Sequence, residues 1–482
     1  ADHPRVVEAL SERRIRGILR LLEMPGLFGE SRGYLHGCLF HAYADFLIQQ
    51  RHDQPTRRDG IGYGHALKGH SPDLAGYLAY LAEKAPGLAA FLRAPLPFCL
   101  REVERQRHTL IVAASGAGKS VLMNALIHAD RNRPRPPTSI LIDHHGDLGE
   151  DLARSRALRD RETLVYLDPA FASSHRFTVN FFDVRPSTAE ERSSGRLSDE
   201  KIDRLAQIGV GIFEMIAGGE GSMTLNMRTL LYPCLCVLLD IQAGEHPYSI
   251  ADLARFMDDA RNEDLIARGQ RARHQAHRIF FDPGPGGESG FHARSFRTTK
   301  LALFTRIQSL LNSRIFCDLA IGDGASTIDL EQAINSRWAI VFNIAKNKVG
   351  DEVAVTFGKF LVGLIQAYCM LRPQNQRVPV YLYLDEFHNF VSPSIKELFT
   401  ELRKFALHLT IAQQYEGQEG NRDIATAIAA NTAVKIVGRT ADPGSAVKMA
   451  TKVLVDEADI RRLKIGQFFI RAGGDLTCKL QV

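Results

Sequence analysis

His108-Thr-Leu-Ile-Val-Ala-Ala-Ser-Gly-Ala-Gly-Lys-Ser120 decides how this chain is read. A short apolar run spanning 108–114 predicts a buried strand. A Gly-rich turn follows, and a helical pattern leaves it over 120–129. Backbone N–H groups of such a turn wrap a polyphosphate at a helix N-terminus. The cradle is Ala114, Ser115, Gly116, Ala117, Gly118, Lys119, Ser120 and Val121, with Gly116 and Gly118 admitting close backbone approach. Lys119 would reach the β- and γ-phosphates, and the Ser120 hydroxyl would hold Mg²⁺. ATP with Mg²⁺ is therefore the expected cofactor. The pattern G-x-x-x-x-G-K-[ST] is broken at its first position, where Ala113 stands.

A phosphate loop needs a carboxylate at the end of a neighbouring buried strand. Two segments compete. Ile140-Leu-Ile-Asp143 continues into His144-His145-Gly-Asp147, and Val380-Tyr-Leu-Tyr-Leu ends in Asp385-Glu386. The second fits better, because Asp385 can hold the metal while Glu386 polarises the attacking water. His144 and His145 lack a ligand partner at metal-site spacing and are read as surface or supporting residues. The strand Leu407-His-Leu-Thr-Ile-Ala-Gln-Gln414 ends in amides, and Gln414, then Gln413, is the expected γ-phosphate sensor.

Outward from these motifs, strands are predicted at 139–143, 163–167, 338–344, 378–384, 407–412, 434–437 and 468–471, with a helix over 353–371 between two of them. Strands alternating with helices mean a parallel α/β sheet. Between 184 and 335 the strand signal fades. Helices are expected at 201–216, 225–239, 250–258 and 301–311. A Pro/Gly-rich loop at 282–290 is expected to be mobile, and it leads into a small basic cluster of His292, Arg294, Arg297 and Lys300. Residues 1–95 show helical spacing, with Val6, Leu10, Ile15 and Leu22 on one face.

Composition sets the outer bounds. The chain has 482 residues, 45% of them hydrophobic and 24% charged, enough for two or three domains with cores. That excludes a disulfide mini-protein, a collagen-like chain and a largely disordered one. The net charge of +5 is too small to argue by itself for nucleic acid. Seven scattered cysteines read as reduced, which points to a cytosolic compartment. No apolar run reaches the length of a membrane span, so no transmembrane segment is expected. The chain begins at Ala1, so an anchor upstream, holding it against the inner membrane, stays open.

Together these motifs resemble the HerA/FtsK superfamily of DNA-pumping ATPases, most of all the type IV secretion coupling proteins of conjugative DNA transfer. Arg107-His108 through Ser120 is similar to the family's basic residue, strand and phosphate loop. Ile142-Asp-His-His-Gly-Asp-Leu148 is similar to its D-P-x-G-D/E segment, with His144 in place of Pro. Asp385-Glu-Phe-His-Asn-Phe390 resembles its acidic motif. Glu401-Leu-Arg-Lys-Phe405 with Ala412-Gln-Gln414 resembles its E-x-R-K and A-x-Q segments. Fainter echoes are Leu167-Asp168-Pro169, Asn180 and Arg439.

The resemblance implies a RecA-like P-loop NTPase domain in two parts, 105–183 and 336–482. An all-α insertion, 184–335, would divide them, and a helical region, 1–104, would precede them. It implies a homo-oligomeric ring, commonly a hexamer, with ATP between subunits and DNA in the pore. Arg403, Arg439 and Arg107 are its candidates for an arginine acting across an interface, and Arg107 is also a candidate nucleotide ligand. The implied partners are DNA and a relaxase or type IV secretion components. The alternatives are a DNA-translocating partner of a nuclease, an assembly or secretion ATPase that never grips DNA, and a nucleotide-binding scaffold without turnover.

Overall fold

The computed structural model describes Arg5–Val6, Leu96–Pro97 and residues 100–482, apart from 160–162, 171–176, 218–222, 285–286, 391–398, 400, 416–421 and 474–476. The chain divides into two compact units, Ala1–Cys99 with Cys478–Gln481, and Leu100–Thr477 with Val482. In the first, β1 (Arg5–Val6) pairs antiparallel with β2 (Leu96–Pro97) and with Leu480 and Gln481. Val6, expected on a helix, is thus in a strand. The other helical expectations within 1–95 lie outside the described residues.

The second unit holds the sheet that the motifs predict. Its strands are β3 (Thr109–Val112), β4 (Thr138–Asp143), β5 (Leu164–Leu167), β6 (Ala339–Asn343), β7 (Val380–Leu384), β8 (Leu407–Gln413), β9 (Val434–Val437) and β10 (Gln467–Ala472). They lie in the order β10-β9-β3-β8-β7-β4-β6-β5. All neighbours are parallel except β10, which runs antiparallel to β9. Every residue of β3, β4, β6, β7 and β8 is buried. Helices cover both faces, so these strands are continuous apolar runs rather than alternating ones.

Register then does the functional work. Val112 lies opposite Gln413, Leu384 opposite Ile411, and Ile142 opposite Leu384. The residues that follow these positions, the phosphate loop, Asp385-Glu386, Asp143 and Gln414, therefore emerge side by side on one sheet edge. Ligands of open α/β sheets bind at the carboxyl ends of the strands.

The 184–335 segment is helical among its described residues. Leu225–Leu239 forms as expected, and the helix expected at 301–311 starts earlier, as Arg297–Leu311. Five short helices went unanticipated: Ala189–Ser194, Glu263–Gly269, Gln275–Phe281, Arg314–Ala320 and Leu330–Asn335. The 282–290 loop closes on itself through a Pro283–Ser289 bridge. The basic cluster is split. Lys300 is buried on Asp259 at 2.5 Å and over the Phe291 ring, while Arg294 and Arg297 are exposed. Asn180 pins the start of the insertion by donating to Tyr248 and Gly324 carbonyls at 2.7 Å each.

Among the described residues one helix, Asp351–Leu371, is long and apolar enough to cross a membrane by length and composition alone. It is a core helix, 67% buried in its most apolar window, and packs on Asp199–Ala217 and on the turn Phe387–Phe390. Cys234, Cys236 and Cys369 are free and buried, and the described residues contain no group of metal-ligating side chains of the His/Cys/Asp/Glu type.

A buried polar network surrounds Arg105 and links Thr109 of β3, Thr410 of β8 and Tyr383 of β7, which lie level in the sheet. Arg105 bonds Asp130 at 2.6 Å, the Tyr383 hydroxyl at 2.8 Å, and Thr109 and Thr410 at 3.2 Å each. Beside it, burial pushes His108 down to about 4, helped by the charge of Arg403. Burial, then His108, pushes His408 down to about 3. Both imidazoles are neutral in the fold and titrate near 6.5 when unfolded. Their contribution is thus full above pH 6.5 and is lost as pH falls toward 4. His108 alone accounts for about 3 kcal/mol by pH 4. Thermal melts should fall from pH 6.5 downward, before ordinary carboxylates begin to titrate, and His408→Asn should flatten that first segment. A melting temperature constant between pH 6.5 and 5 would contradict it.

Candidate active site

The phosphate loop leaves β3 between two neighbours that pin it. Ala113 N–H donates to Gln413 O at 3.1 Å, and Ala114 N–H donates to Arg439 O at 3.0 Å. The loop then enters the helix Lys119–Arg131. Gly118, at φ +98, is required twice over: the conformation is left-handed, and a Cβ would meet the Gly466 backbone at 3.2 Å. The missing first glycine has a local explanation. A Cβ on Gly438 of β9's exit would stand 2.7 Å from the Ala113 methyl, so the glycine that makes room is across the strand pair. Ser120 and Val121 are exposed on the first helical turn.

Lys119 is the centre of the site's electrostatics. Its Nζ lies 2.6 Å from Glu386 Oε1 and 3.2 Å from Asp385 Oδ1. Both acids are buried, and Glu386 stands at φ +53, a strained conformation for a non-glycine residue. Gln414 donates to Glu386 Oε1 at 3.0 Å. His145 Nε2 is 3.8 Å from the same oxygen, and His388 Nδ1 is 3.4 Å from Oε2. Burial works against ionising Glu386, but the pull of nearby His145 and the hydrogen bonds from Lys119 and Gln414 outweigh it and hold the carboxyl well below the usual range. The nearby Glu386 carboxylate in turn pushes His145 up. A cavity of about 440 Å³ opens beside Ala114, Ser115, Gln414, Tyr415 and Thr440.

The competing carboxylate, Asp143, is already committed. It accepts backbone N–H bonds from His145 at 3.0 Å, Gly146 at 2.9 Å and Gly149 at 2.7 Å, and so shapes the turn into the helix Asp147–Arg154. Burial nonetheless pushes its carboxyl up, and nearby Asp385 adds to this. Asp168 is similarly engaged, with Lys348 at 2.6 Å.

The structure brings Lys119, Asp385, Glu386 and Gln414 together and separates the arginines. Arg439 follows β9 at the phosphate-loop edge. Arg403 precedes β8, and Arg107 precedes β3, so both stand at the opposite edge. All three are exposed. A β8 of seven residues spans roughly 20 Å. Arg107 therefore stands across the sheet from the phosphate loop of its own chain, so a contact with nucleotide would be with a neighbour's. The buried arginine of this segment is Arg105, two residues earlier. Sequence reading also missed His145 and His388 as neighbours of Glu386; the only signal was their place just beyond β4 and β7.

Residues 379–460 match the family described as the TraM recognition site of TraD and TraG. No curated protein matches the sequence significantly. Among solved structures the chain is similar to the plasmid coupling protein TrwB in complex with the non-hydrolysable ATP analogue ADPNP. The TM-score is 0.54 at 16% identity, covering 80% of this chain and 87% of that one. It is similar to TrwB with ADP and Mg²⁺ at TM-score 0.51 and 15% identity, covering 80% and 87%. VirB4 of Thermoanaerobacter pseudethanolicus matches at TM-score 0.52 and 13% identity, covering 81% and 93%. The chain thus has the fold of the coupling-type P-loop ATPases of conjugative type IV secretion, as the HerA/FtsK resemblance of its motifs implies.

Proposed function

We propose that this chain is an ATP-hydrolysing motor that moves DNA in conjugative transfer, working in the cytoplasm as a ring, commonly a hexamer, with ATP between subunits. The observation that carries this reading is the convergence of Lys119, Asp385, Glu386 and Gln414 on one sheet edge. Binding alone does not need the second carboxylate, Glu386. TrwB solved with an ATP analogue, and with ADP and Mg²⁺, supports the choice of nucleotide and metal.

The donor set suits Mg²⁺, which favours hard oxygen ligands: the exposed Ser120 hydroxyl and the buried Asp385 carboxylate. Bound there, the ion would supply positive charge to the β- and γ-phosphates. Lys119 leaves the carboxylates for the γ-phosphate. Gln414 turns to the same phosphate. Glu386, freed of its cation, accepts the proton of the attacking water. Arg439 flanks the nucleotide of its own subunit, while Arg403 is placed to meet a neighbour's. DNA in the pore, with a relaxase or secretion components as partners, completes the proposed assembly, and the match of residues 379–460 to a TraM recognition site supports such a partner.

Lys119→Ala tests the phosphate-loop reading. One charge-assisted phosphate contact contributes about 1.5–3 kcal/mol. ATP affinity should therefore drop about ten- to a hundredfold, with turnover lost, in titrations of a fluorescent ATP analogue and phosphate-release assays. Wild-type affinity and turnover in that variant would contradict the reading.

A further inference from the structure

Four polar side chains surround Glu386: Lys119 and Gln414 hydrogen-bond to it, and two imidazoles approach it at ion-pair distance. Oε1 faces Lys119 at 2.6 Å, Gln414 at 3.0 Å and His145 at 3.8 Å, and Oε2 faces His388 at 3.4 Å. The carboxylate is 3% exposed, on a strained backbone at the end of β7. Two of these four partners are the groups that bound ATP draws away, Lys119 and Gln414. The other two stand outside the phosphate-loop motifs.

The turns that carry the two imidazoles are fixed. The turn carrying His145 is fixed by the three N–H bonds to Asp143, and Gly146 in it fits tightly against Asn343 and Ala345. His388 lies in the turn Phe387–Phe390, whose two phenylalanines are buried, and Asn389 N–H closes that turn on Glu386 O at 3.0 Å. The Phe390 ring meets His144 edge-on, which joins the two turns.

We propose that His145 and His388 are positioning residues that keep Glu386 aimed at the attacking water once Lys119 and Gln414 have turned to the nucleotide. This rests on the ATPase reading above. A carboxylate left with neither imidazole samples rotamers in which no water is within reach, and misplacement on this scale costs about ten- to a hundredfold in rate. In this proposal both histidines act on Glu386 rather than on the phosphates, so the loss falls on kcat.

The test uses the full chain with ATP and Mg²⁺. The double variant His145→Ala/His388→Ala should lose about ten- to a hundredfold in kcat with KM for ATP nearly unchanged. The double variant His145→Gln/His388→Asn puts an amide nitrogen where Nε2 and Nδ1 stand, and should recover most of that loss. Melting temperatures of both variants should match wild type. Unchanged kcat in the alanine variant overturns the proposal. So does an equal loss in both variants accompanied by a lower melting temperature, which would make the role structural. Wild-type protein that melts cooperatively yet hydrolyses no ATP would instead overturn the ATPase reading, and this proposal with it.

Discussion

Glu386→Gln should slow ATP hydrolysis by about two to four orders of magnitude while ATP still binds. The amide keeps the shape of the carboxylate and its contact with Gln414 but cannot take the water's proton. It also removes the closest of the two anions that hold Lys119, at 2.6 Å against 3.2 Å for Asp385. Freeing the lysine should tighten ATP binding rather than weaken it. The same pairing implies gating. While His145, Lys119 and Gln414 hold Glu386 ionised well below its usual range, it is a poor base, and it becomes a better one only when the lysine moves to phosphate. Single-turnover hydrolysis and ATP-analogue titration on the variant read both effects. Normal turnover would contradict the assignment, and Asp143 offers no substitute, because its oxygens are taken by three backbone N–H groups.

Arg403→Ala should cost about three to five orders of magnitude in kcat, the range for an arginine that meets the transferring phosphoryl group. Arg403 and Arg439 carry equal weight as motifs, but the fold separates them. Arg439 follows β9 at the edge where the phosphate loop emerges, and Ala114 of that loop donates to its carbonyl, so the proposal assigns its side chain to the nearby nucleotide. Arg403 stands a full strand away and can serve only a neighbour. Mixing Arg403→Ala subunits with Glu386→Gln subunits creates some interfaces with both a sound base and a sound arginine. Hydrolysis should partly recover in the mixture, and an Arg439→Ala mixture should not recover. Absence of recovery with proven co-assembly would contradict action across an interface.

The phosphate loop, the acid pair and Gln414 were legible in the sequence because a parallel sheet exposes all strand carboxyl ends on one edge. Once the strands were found, the motifs at their ends had to meet. What stayed hidden depends on convergence between distant turns. A histidine after β4 and another after β7 look like surface residues until both turns close on Glu386, 241 and 2 positions away along the chain. Arg105 and Arg107 differ by two positions, and only the fold shows which is buried among Asp130, Tyr381 and Tyr383. Helices such as Arg314–Ala320 and Leu330–Asn335 are too short for a periodic pattern. Their caps, Ser313 and Asp329, were the available signal, and packing against the insertion core completes them.

The most direct test of the account is the ATPase rate per subunit of the full chain, measured with and without DNA across a protein concentration series that spans assembly. Mg²⁺-dependent hydrolysis that rises with DNA, and rises with concentration as larger species form, is the predicted result. A rate per subunit that ignores both DNA and assembly, or no hydrolysis at any concentration, would contradict it.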